Sequence, residues 1–390
     1  MEFVRIGIIG IGNMGRAHST RIFRGEVPHI RFGAVCDIDA DARSWCKENL
    51  PDVPVYESAE EMMEKAEIDA ILVAVPHYDH PKYAMMAFEH GLHVYCEKPA
   101  GVYTLQVQEM IDAAQKRPDL VFSSGFQQRT WPCFQKLREM IQSGELGHIK
   151  KVVWIVTNWY RSQCYHDSSA WRSTWKGEGG GTLVNQNPHN LDMWQWLFGM
   201  PDGVMSTVDY GKYYDIETDD DFTIMFRYNS GTVGIYTTST GECPGTNRLE
   251  ISADMGKVVL EDGKITFWKN AESERDFNRH NTAPFGRVAC EKIEIEVPKS
   301  EMQEHNTLLE NFAMAIMTGS PLLAPGVDGI NEVLLADCVY YSDWKGQVWM
   351  NPKDFDHEGF YLALKAKAEA STVVKTVKKA EVDMGASYQK

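Results

Sequence analysis

Six residues near the start constrain this chain more than any other feature: Gly10-Ile11-Gly12-Asn13-Met14-Gly15. The run before them, Val4 to Gly10, is apolar and strand-like, and Asn13 to Arg24 after them reads as a helix. The pattern G-x-G-x-x-G is weak alone, but strand, turn and helix in that order form the context a diphosphate needs. Gly10 permits a tight turn, Gly12 lets the backbone approach a pyrophosphate, and Gly15 lets helix and strand pack closely. The helix start supplies free N–H groups and partial positive charge. The second strand, Phe32 to Asp37, ends 22 residues beyond Gly15. A carboxylate there suits the ribose hydroxyls of NAD and repels the 2′-phosphate of NADP, so NAD is expected and NADP is the poorer fit. Ile38 belongs to the same expected contact set.

The pattern continues as strand and helix in alternation. Ala70 to Pro76, His93 to Cys96 and Leu120 to Ser124 read as short buried strands. Helices are expected over Ala40 to Leu50, up to about His90, and over Thr104 to Lys116. Such alternation predicts an α/β domain with a parallel sheet over residues 1–128. After Arg129 the texture changes. Following a helix over Phe134 to Gln142, longer β-rich runs appear at Lys151 to Trp159, Phe222 to Tyr228, Thr232 to Thr238, Arg248 to Ser252 and Lys257 to Leu260. Turns at Asn229-Ser230-Gly231 and Glu261-Asp262-Gly263 predict antiparallel hairpins. Helices over Asn185 to Leu197 and Gln303 to Met317 are expected to cover one face. The second unit, 129–352, is therefore an α+β domain with a large open, mostly antiparallel sheet. Residues 353–390 form an extension, helical over Leu362 to Lys379. An open sheet is a common surface for pairing, so a homo-oligomer is expected.

A net charge of -16 (39 Lys and Arg against 55 Asp and Glu) argues against nucleic acid as a partner. The N-terminus has no signal-peptide pattern, and no apolar run is long enough for a membrane span. The eight cysteines have neither CxxC nor zinc-like spacing, so no metal is expected, and Cys36, Cys96 and Cys338 sit in apolar runs. A reduced, cytoplasmic protein fits.

The chemistry is expected where parallel strands end. The third strand ends in Val75-Pro76-His77, with His80 a turn later, and these join the expected cofactor contacts. The fourth ends in Glu97-Lys98-Pro99. A half-buried lysine beside a cationic ring has its ammonium form disfavoured, and it can hydrogen-bond or exchange a proton with a substrate oxygen. Further on, Gly179-Gly180-Gly181 lets backbone pass close to something. Asn185 and His189 stand four apart, as on one helical face, and Asp192 three further on is placed to orient the imidazole. A neutral histidine can accept an alcohol proton near pH 7. Tyr160, Arg161, Tyr165, Trp171 and Arg172 combine aromatic faces with fixed donors, which suits a pyranose or cyclitol as well as a packing face or subunit contact.

On Gly10-x-Gly12-x-x-Gly15, Glu97-Lys98-Pro99, the triple glycine leading to His189, and His305…Asn311-Phe312…Ile316-x-x-Gly319, the chain resembles the Gfo/Idh/MocA oxidoreductases, to about Pro352. The resemblance implies a Rossmann domain, a nicotinamide cofactor, sheet-to-sheet oligomers and sugar or cyclitol substrates. It also implies catalytic roles for Lys98 and His189. Many members carry an aspartate four residues before the histidine; Asn185 stands there in this chain and cannot take a proton. The Asn-Gln-x-x-His variant resembles a branch acting on sugar derivatives, some of whose members oxidise C3 of glucosides. Oxidation of a secondary alcohol of a sugar, glycoside or cyclitol is thus the expected activity. The alternatives are redox-assisted glycoside cleavage with the cofactor recycled, and a non-enzymatic sugar or NAD sensor.

Overall fold

The computed structural model describes residues 2–300, 302–375 and 377. Six short strands form the first sheet: β1 (Val4–Ile9), β2 (Ile30–Cys36), β3 (Val55–Tyr56), β4 (Ala70–Val73), β5 (His93–Cys96) and β6 (Phe122–Ser124). All its pairings are parallel, in the order β3-β2-β1-β4-β5-β6. This is the doubly wound dinucleotide-binding order, whose switch point lies between β1 and β4. Ala70-Ile71-Leu72-Val73 is buried residue for residue, as a strand covered by helices on both faces must be.

The second sheet contains β7 (Ile149–Val156), β8 (Gly203–Tyr210), β9 (Asp219–Arg227), β10 (Val233–Ser239), β11 (Asn247–Ala253), β12 (Gly256–Glu261), β13 (Lys264–Asn270) and β14 (Cys290–Ile295), in the order β14-β13-β12-β11-β7-β10-β9-β8. It is mostly antiparallel, with one parallel pair, β7 and β10. Asp262 and Gly263, both at positive φ, make the two-residue turn between β12 and β13. One face of the sheet packs Val152, Trp154, Phe222, Phe226 and Tyr236 against the helices Pro132–Gln142, Pro188–Phe198 and Gly329–Trp344. The other face leaves Val153, Ile155, Met225, Val233 and Ile235 partly exposed.

The chain returns to the first sheet after finishing the second. Leu308, Leu309 and Phe312 of the helix Glu304–Thr318 share a core with Val4, Ile6 and Ile8 of β1. Gly329–Trp344 bridges the units, placing Val333 in one core and Leu335, Val339 and Tyr340 in the other.

Three expected helices differ. The one expected over Gln303 to Met317 against the second sheet is Glu304–Thr318, and it packs on β1 of the first. The segment expected as one helix from Asn185 is two, Thr182–Asn185 and Pro188–Phe198. Pro188 has no N–H to continue the first and sits at the start of the second, where none is needed. The C-terminal helix spans His357–Ala370, so the stretch expected helical to Lys379 ends nine residues sooner; of those nine, 376, 378 and 379 lie outside the described residues.

All eight cysteines are free thiols, with Cys36, Cys96 and Cys338 buried. Among the described residues no helix is long and apolar enough to cross a membrane, and no group of three acidic, His or Cys side chains could hold a metal ion.

Candidate active site at the carboxyl edge of the first sheet

The glycine loop has the geometry its sequence requires. Gly10 has φ +90°, and a Cβ there would lie 2.6 Å from the Ala74 carbonyl oxygen. A Cβ on Gly15 would fall 1.9 Å from the Gly10 oxygen, so helix and strand touch at that point. Gly12 is different: nothing lies within 4 Å of its Cβ position. It precedes the helix Asn13–Phe23, whose first turn has no acidic residue and no side-chain cap. The N–H groups there face open space, which suits a diphosphate. Asn13 is exposed and Met14 partly so, while Ile11 is buried. Asp37 closes the loop, its Oδ2 accepting the Ile11 N–H at 2.6 Å and its Oδ1 the Asp39 N–H at 2.8 Å. Ile38 beside it is 81% exposed, an apolar surface for a planar base.

Three further strand ends converge on the same edge. After β4, Val75 is partly exposed and Pro76 exposed, but His77 is buried against Trp171, with ring centroids 5.5 Å apart. Burial, then the neighbouring His80 and Lys98, hold His77 neutral. The ring nitrogens of His80 lie 2.7 and 2.8 Å from the carbonyl oxygens of Pro99 and Val75, so this side chain braces two strand-end loops.

After β5, Glu97 is buried, and its Oε1 lies 2.7 Å from His18 Nε2. Burial opposes its charge, but the hydrogen bond to His18 overrides it and the carboxyl is held at about 2. A Cβ on Gly125 would sit 2.8 Å from Glu97 Oε2, so this carboxylate needs glycine at the end of β6. Lys98 points across the cleft and donates from Nζ to the Asn185 carbonyl oxygen at 2.9 Å. Desolvation lowers its pKa, partly offset by the carboxyls of Glu97 and Glu332.

His189 comes from the opposite wall, buried in the first turn of Pro188–Phe198. Burial, then the Lys98 charge, push its pKa well below the usual value, so the ring is neutral at physiological pH. Its Nε2 lies 3.2 Å from Gln127 Nε2, and its Nδ1 and Gln127 Oε1 have no protein partner. With the amide nitrogen toward the ring, Gln127 donates to Nε2. With the amide turned over, its oxygen accepts from Nε2–H and leaves Nδ1 as the free lone pair.

Asp192 does not orient the imidazole, contrary to what its spacing suggests. It is bound by Arg129, through Nε at 2.8 Å and NH2 at 2.6 Å, while Arg129 NH1 donates to Asp328 at 2.7 Å. Burial works against the Arg129 charge, and the two carboxylates outweigh it. This buried pair anchors the helix of His189 to the junction between the sheets.

The aromatic and cationic cluster assembles around a polar ring. Arg172 NH1 donates to the Tyr165 hydroxyl at 2.5 Å, which donates to Asn185 Oδ1 at 3.2 Å. Asn185 Nδ2 donates to Glu178, whose Oε1 lies 3.7 Å from Arg172 NH1. Gln186 Nε2 donates to Tyr165 at 2.8 Å. The guanidinium of Arg161 stacks on Tyr165 and that of Arg172 on Tyr165 and Trp171, while Tyr160 is exposed at the rim. Asn185 and His189 thus meet the cleft from two helices rather than one face of a single helix.

Glu178 and Gln127 were not singled out in the sequence, and Gln186 only as part of the Asn-Gln-x-x-His variant. Only their place beside the glycine run and just after β6 could have signalled them. The triple glycine allows the close backbone approach expected of it, and what it approaches is the protein itself. A Cβ would meet Val102 at Gly179, the Tyr340 hydroxyl at Gly180 and the Asp219 oxygen at Gly181, so the backbone passes close to its own core.

A parallel sheet in this order, an open glycine loop and a lysine and histidine facing each other across the cleft define a two-domain, dinucleotide-dependent class of protein. Two family models match: the NAD-binding Rossmann fold of this oxidoreductase family over residues 4–126, and the GFO/IDH/MocA C-terminal domain over 134–259. The chain belongs to the Gfo/Idh/MocA family and binds NAD through its first domain.

It is 24% identical over 340 residues to the myo-inositol 2-dehydrogenase of Thermotoga maritima, covering 85% of this chain and 94% of that protein. It is 28% identical over 199 residues to the D-glucoside 3-dehydrogenase of Escherichia coli, covering 51% and 55%. Among solved structures, the WlbA dehydrogenase from Bordetella pertussis in complex with NADH and UDP-GlcNAcA has a TM-score of 0.76 at 22% identity, covering 90% of this chain and 98% of that one. Levoglucosan dehydrogenase in complex with NADH and levoglucosan gives 0.73 at 18%, covering 89% and 99%.

Proposed function

We propose that this chain is an NAD-dependent dehydrogenase that reversibly oxidises a secondary alcohol of a sugar, glycoside or cyclitol, with C3 of a glucoside as a candidate position. The observation that carries the proposal is that Lys98, which donates to the Asn185 carbonyl, stands near enough to the buried His189 for its charge to help hold that ring neutral. NAD, when bound, supplies the hydride acceptor. Gly10 to Gly15, Asp37 and Ile38 hold its diphosphate and adenosine half, and Val75, Pro76, His77, His80, Glu97 and Lys98 form the edge beside its nicotinamide half.

Lys98 donates a hydrogen bond to the reacting hydroxyl oxygen. That lowers the barrier to losing the O–H proton and favours the carbonyl product. His189 accepts the proton as the carbon-bound hydrogen leaves as hydride, and it returns the proton in the reverse direction. Asn185, Tyr165 and Arg172 fix the ring hydroxyls, while Arg161, Tyr160 and Trp171 supply stacking faces and donors at the rim. The carboxylate of Glu178 holds the Asn185 amide in one orientation. The partly exposed apolar face of the second sheet joins copies of the chain, and the free thiols suit a reducing cytoplasm.

The direct test is NADH absorbance at 340 nm with NAD and a panel of monosaccharides, glycosides and inositols. Rising absorbance with one class of compound supports the proposal. A flat trace with NAD bound, while chromatography finds aglycone released, overturns net oxidation.

A further inference from the structure

The chain beyond the helix His357–Ala370 runs back over the loop that carries the candidate substrate residues. At Ser371 the side-chain hydroxyl donates to Glu217 Oε1 at 2.7 Å. The same oxygen accepts the Trp175 backbone N–H at 3.0 Å, and the Glu217 carbonyl accepts the Trp175 indole N–H at 3.0 Å. Four residues later Lys375 Nζ donates to two carbonyl oxygens, those of His166 at 3.0 Å and Arg172 at 2.5 Å. The tail is therefore tied to the segment 166–175 directly at the His166 and Arg172 carbonyls, and through Glu217 at Trp175.

The carbonyls that Lys375 ties together are six residues apart in sequence and belong to the two ends of an irregular stretch. Within that stretch only His166 is helical, at the end of Gln163–His166, and Ser173, the residue just after the stretch, sits at φ +53°. Such a stretch has few backbone hydrogen bonds of its own to fix its shape. An ammonium with three donors closes it at the base without adding a side chain to the cleft. The consequence reaches the polar ring, because the backbone of Arg172 is held by Lys375 while its guanidinium holds Tyr165 and faces Glu178.

We propose that residues 371–375 are a strap across the base of the substrate loop, and that Lys375 is a positioning residue that sets Arg172 and Tyr165 for substrate binding. The strap stands on the contacts themselves; the effect on substrate rests on the proposed function. The test uses the full chain as wild type, Lys375→Met and Lys375→Arg. Hydrogen exchange is followed on peptides covering 160–178, with peptides from 70–100 as the fold control.

Lys375→Met speeds exchange in 160–178 by roughly tenfold or more and leaves 70–100 unchanged, the scale expected for losing a charge-assisted hydrogen bond. With a turned-over substrate, KM rises by about the same factor and kcat stays within about twofold, since the strap touches binding and not the reacting atoms. Lys375→Arg, which keeps the charge and the donors, restores both. Unchanged exchange in Lys375→Met overturns the strap. Faster exchange with unchanged KM overturns the positioning role alone. If wild type turns over no carbohydrate, the proposed function fails, and the exchange comparison still decides the strap.

Discussion

Gly12 and Gly15 belong to one motif, yet the structure assigns them separable jobs, and alanine at each should pull cofactor binding and stability apart. Gly12 has φ -74° and ψ -160°, an ordinary extended conformation for an L-residue, and its Cβ position is empty to 4 Å. Gly12→Ala therefore meets no clash and no backbone strain. Gly-to-Ala at a compatible site stabilises by about 0.4–1 kcal/mol through the unfolded chain, while alanine is the poorer helix N-cap. The two nearly cancel, so the unliganded protein should melt within a few degrees of wild type. The same methyl stands where the diphosphate must approach the helix N-terminus. Losing even one charge-assisted hydrogen bond there removes about 1.5–3 kcal/mol, which weakens NAD binding by roughly 10- to 150-fold. Gly15→Ala behaves in the opposite sense. Its Cβ would lie 1.9 Å from the Gly10 oxygen, so the helix must move off the strand. Overpacking of this kind costs about 1–3 kcal/mol or more, and the melting temperature should drop by several degrees before any ligand is added. Thermal melts without ligand and calorimetric titration with NAD measure the two effects. Wild-type NAD affinity in Gly12→Ala would refute the assignment, and so would equal losses of stability in both variants.

Other sites give equally direct expectations. Lys98→Met should lower kcat/KM by roughly 10²–10⁴ under substrate-saturable conditions, the range for losing a proton-transfer partner; turnover near wild type sinks its role. Glu97 is held at about 2, below the ordinary 4.5, so its stabilisation is full above pH 4.5 and drains away as pH falls toward 2. Chemical denaturation of wild type and Glu97→Gln should show a stability gap that is constant above pH 4.5 and shrinks by about 3.5 kcal/mol below it (from 4.5 to about 2, at about 1.4 kcal/mol per unit). Arg129→Met leaves Asp192 buried with only Gln195 as a side-chain partner and should destabilise by about 3–5 kcal/mol. Adding Asp192→Leu should recover part of that loss, and a double variant worse than the single refutes the argument. Glu178→Gln must turn an amide N–H toward either the Ser173 N–H or the Asn185 amide, two donors that Glu178 now accepts from. A loss of about 1–3 kcal/mol in unfolding free energy is expected, with KM raised more than kcat is lowered.

The first domain was legible because its signals are local. A glycine loop, an aspartate at a strand end and short apolar strands between helices each announce themselves within about ten residues, and the order β3-β2-β1-β4-β5-β6 follows from parallel crossovers. The second domain was legible in its hairpins and not in its closure. The helix Gly329–Trp344 was missed because it is buried nearly all round, with Val333, Leu335, Ala336, Cys338, Val339 and Tyr340 leaving no polar stripe to betray a period of 3.6.

The site failed in a more informative way. Lys98 and His189 lie where strand ends and the glycine segment put them, but their partners are set by tertiary contact. Asp192 sits three residues after His189 and yet serves Arg129, 63 residues earlier in the chain. Asn185 sits four residues before His189 and yet belongs to another helix, because Pro188 intervenes. Spacing identifies which residues share a segment; it cannot tell which donor reaches them from across the fold. That distinction explains Glu178. Asn185 cannot take a proton, but its amide is held by a buried carboxylate that also faces Arg172. An acidic side chain therefore stands beside position 185, supplied from seven residues earlier; burial raises its pKa, opposed by the Arg172 charge and by the hydrogen bonds from Ser173 and Asn185, and it fixes the direction of the Asn185 amide. Under the proposed function, a wall so built would orient a substrate through Asn185 Oδ1 and Tyr165, with His189 on the facing helix as the proton acceptor. On that reading Asn185 and His189 take separate parts on the two helices that Pro188 separates, and Tyr165 and Arg172 join Asn185 from the segment before them.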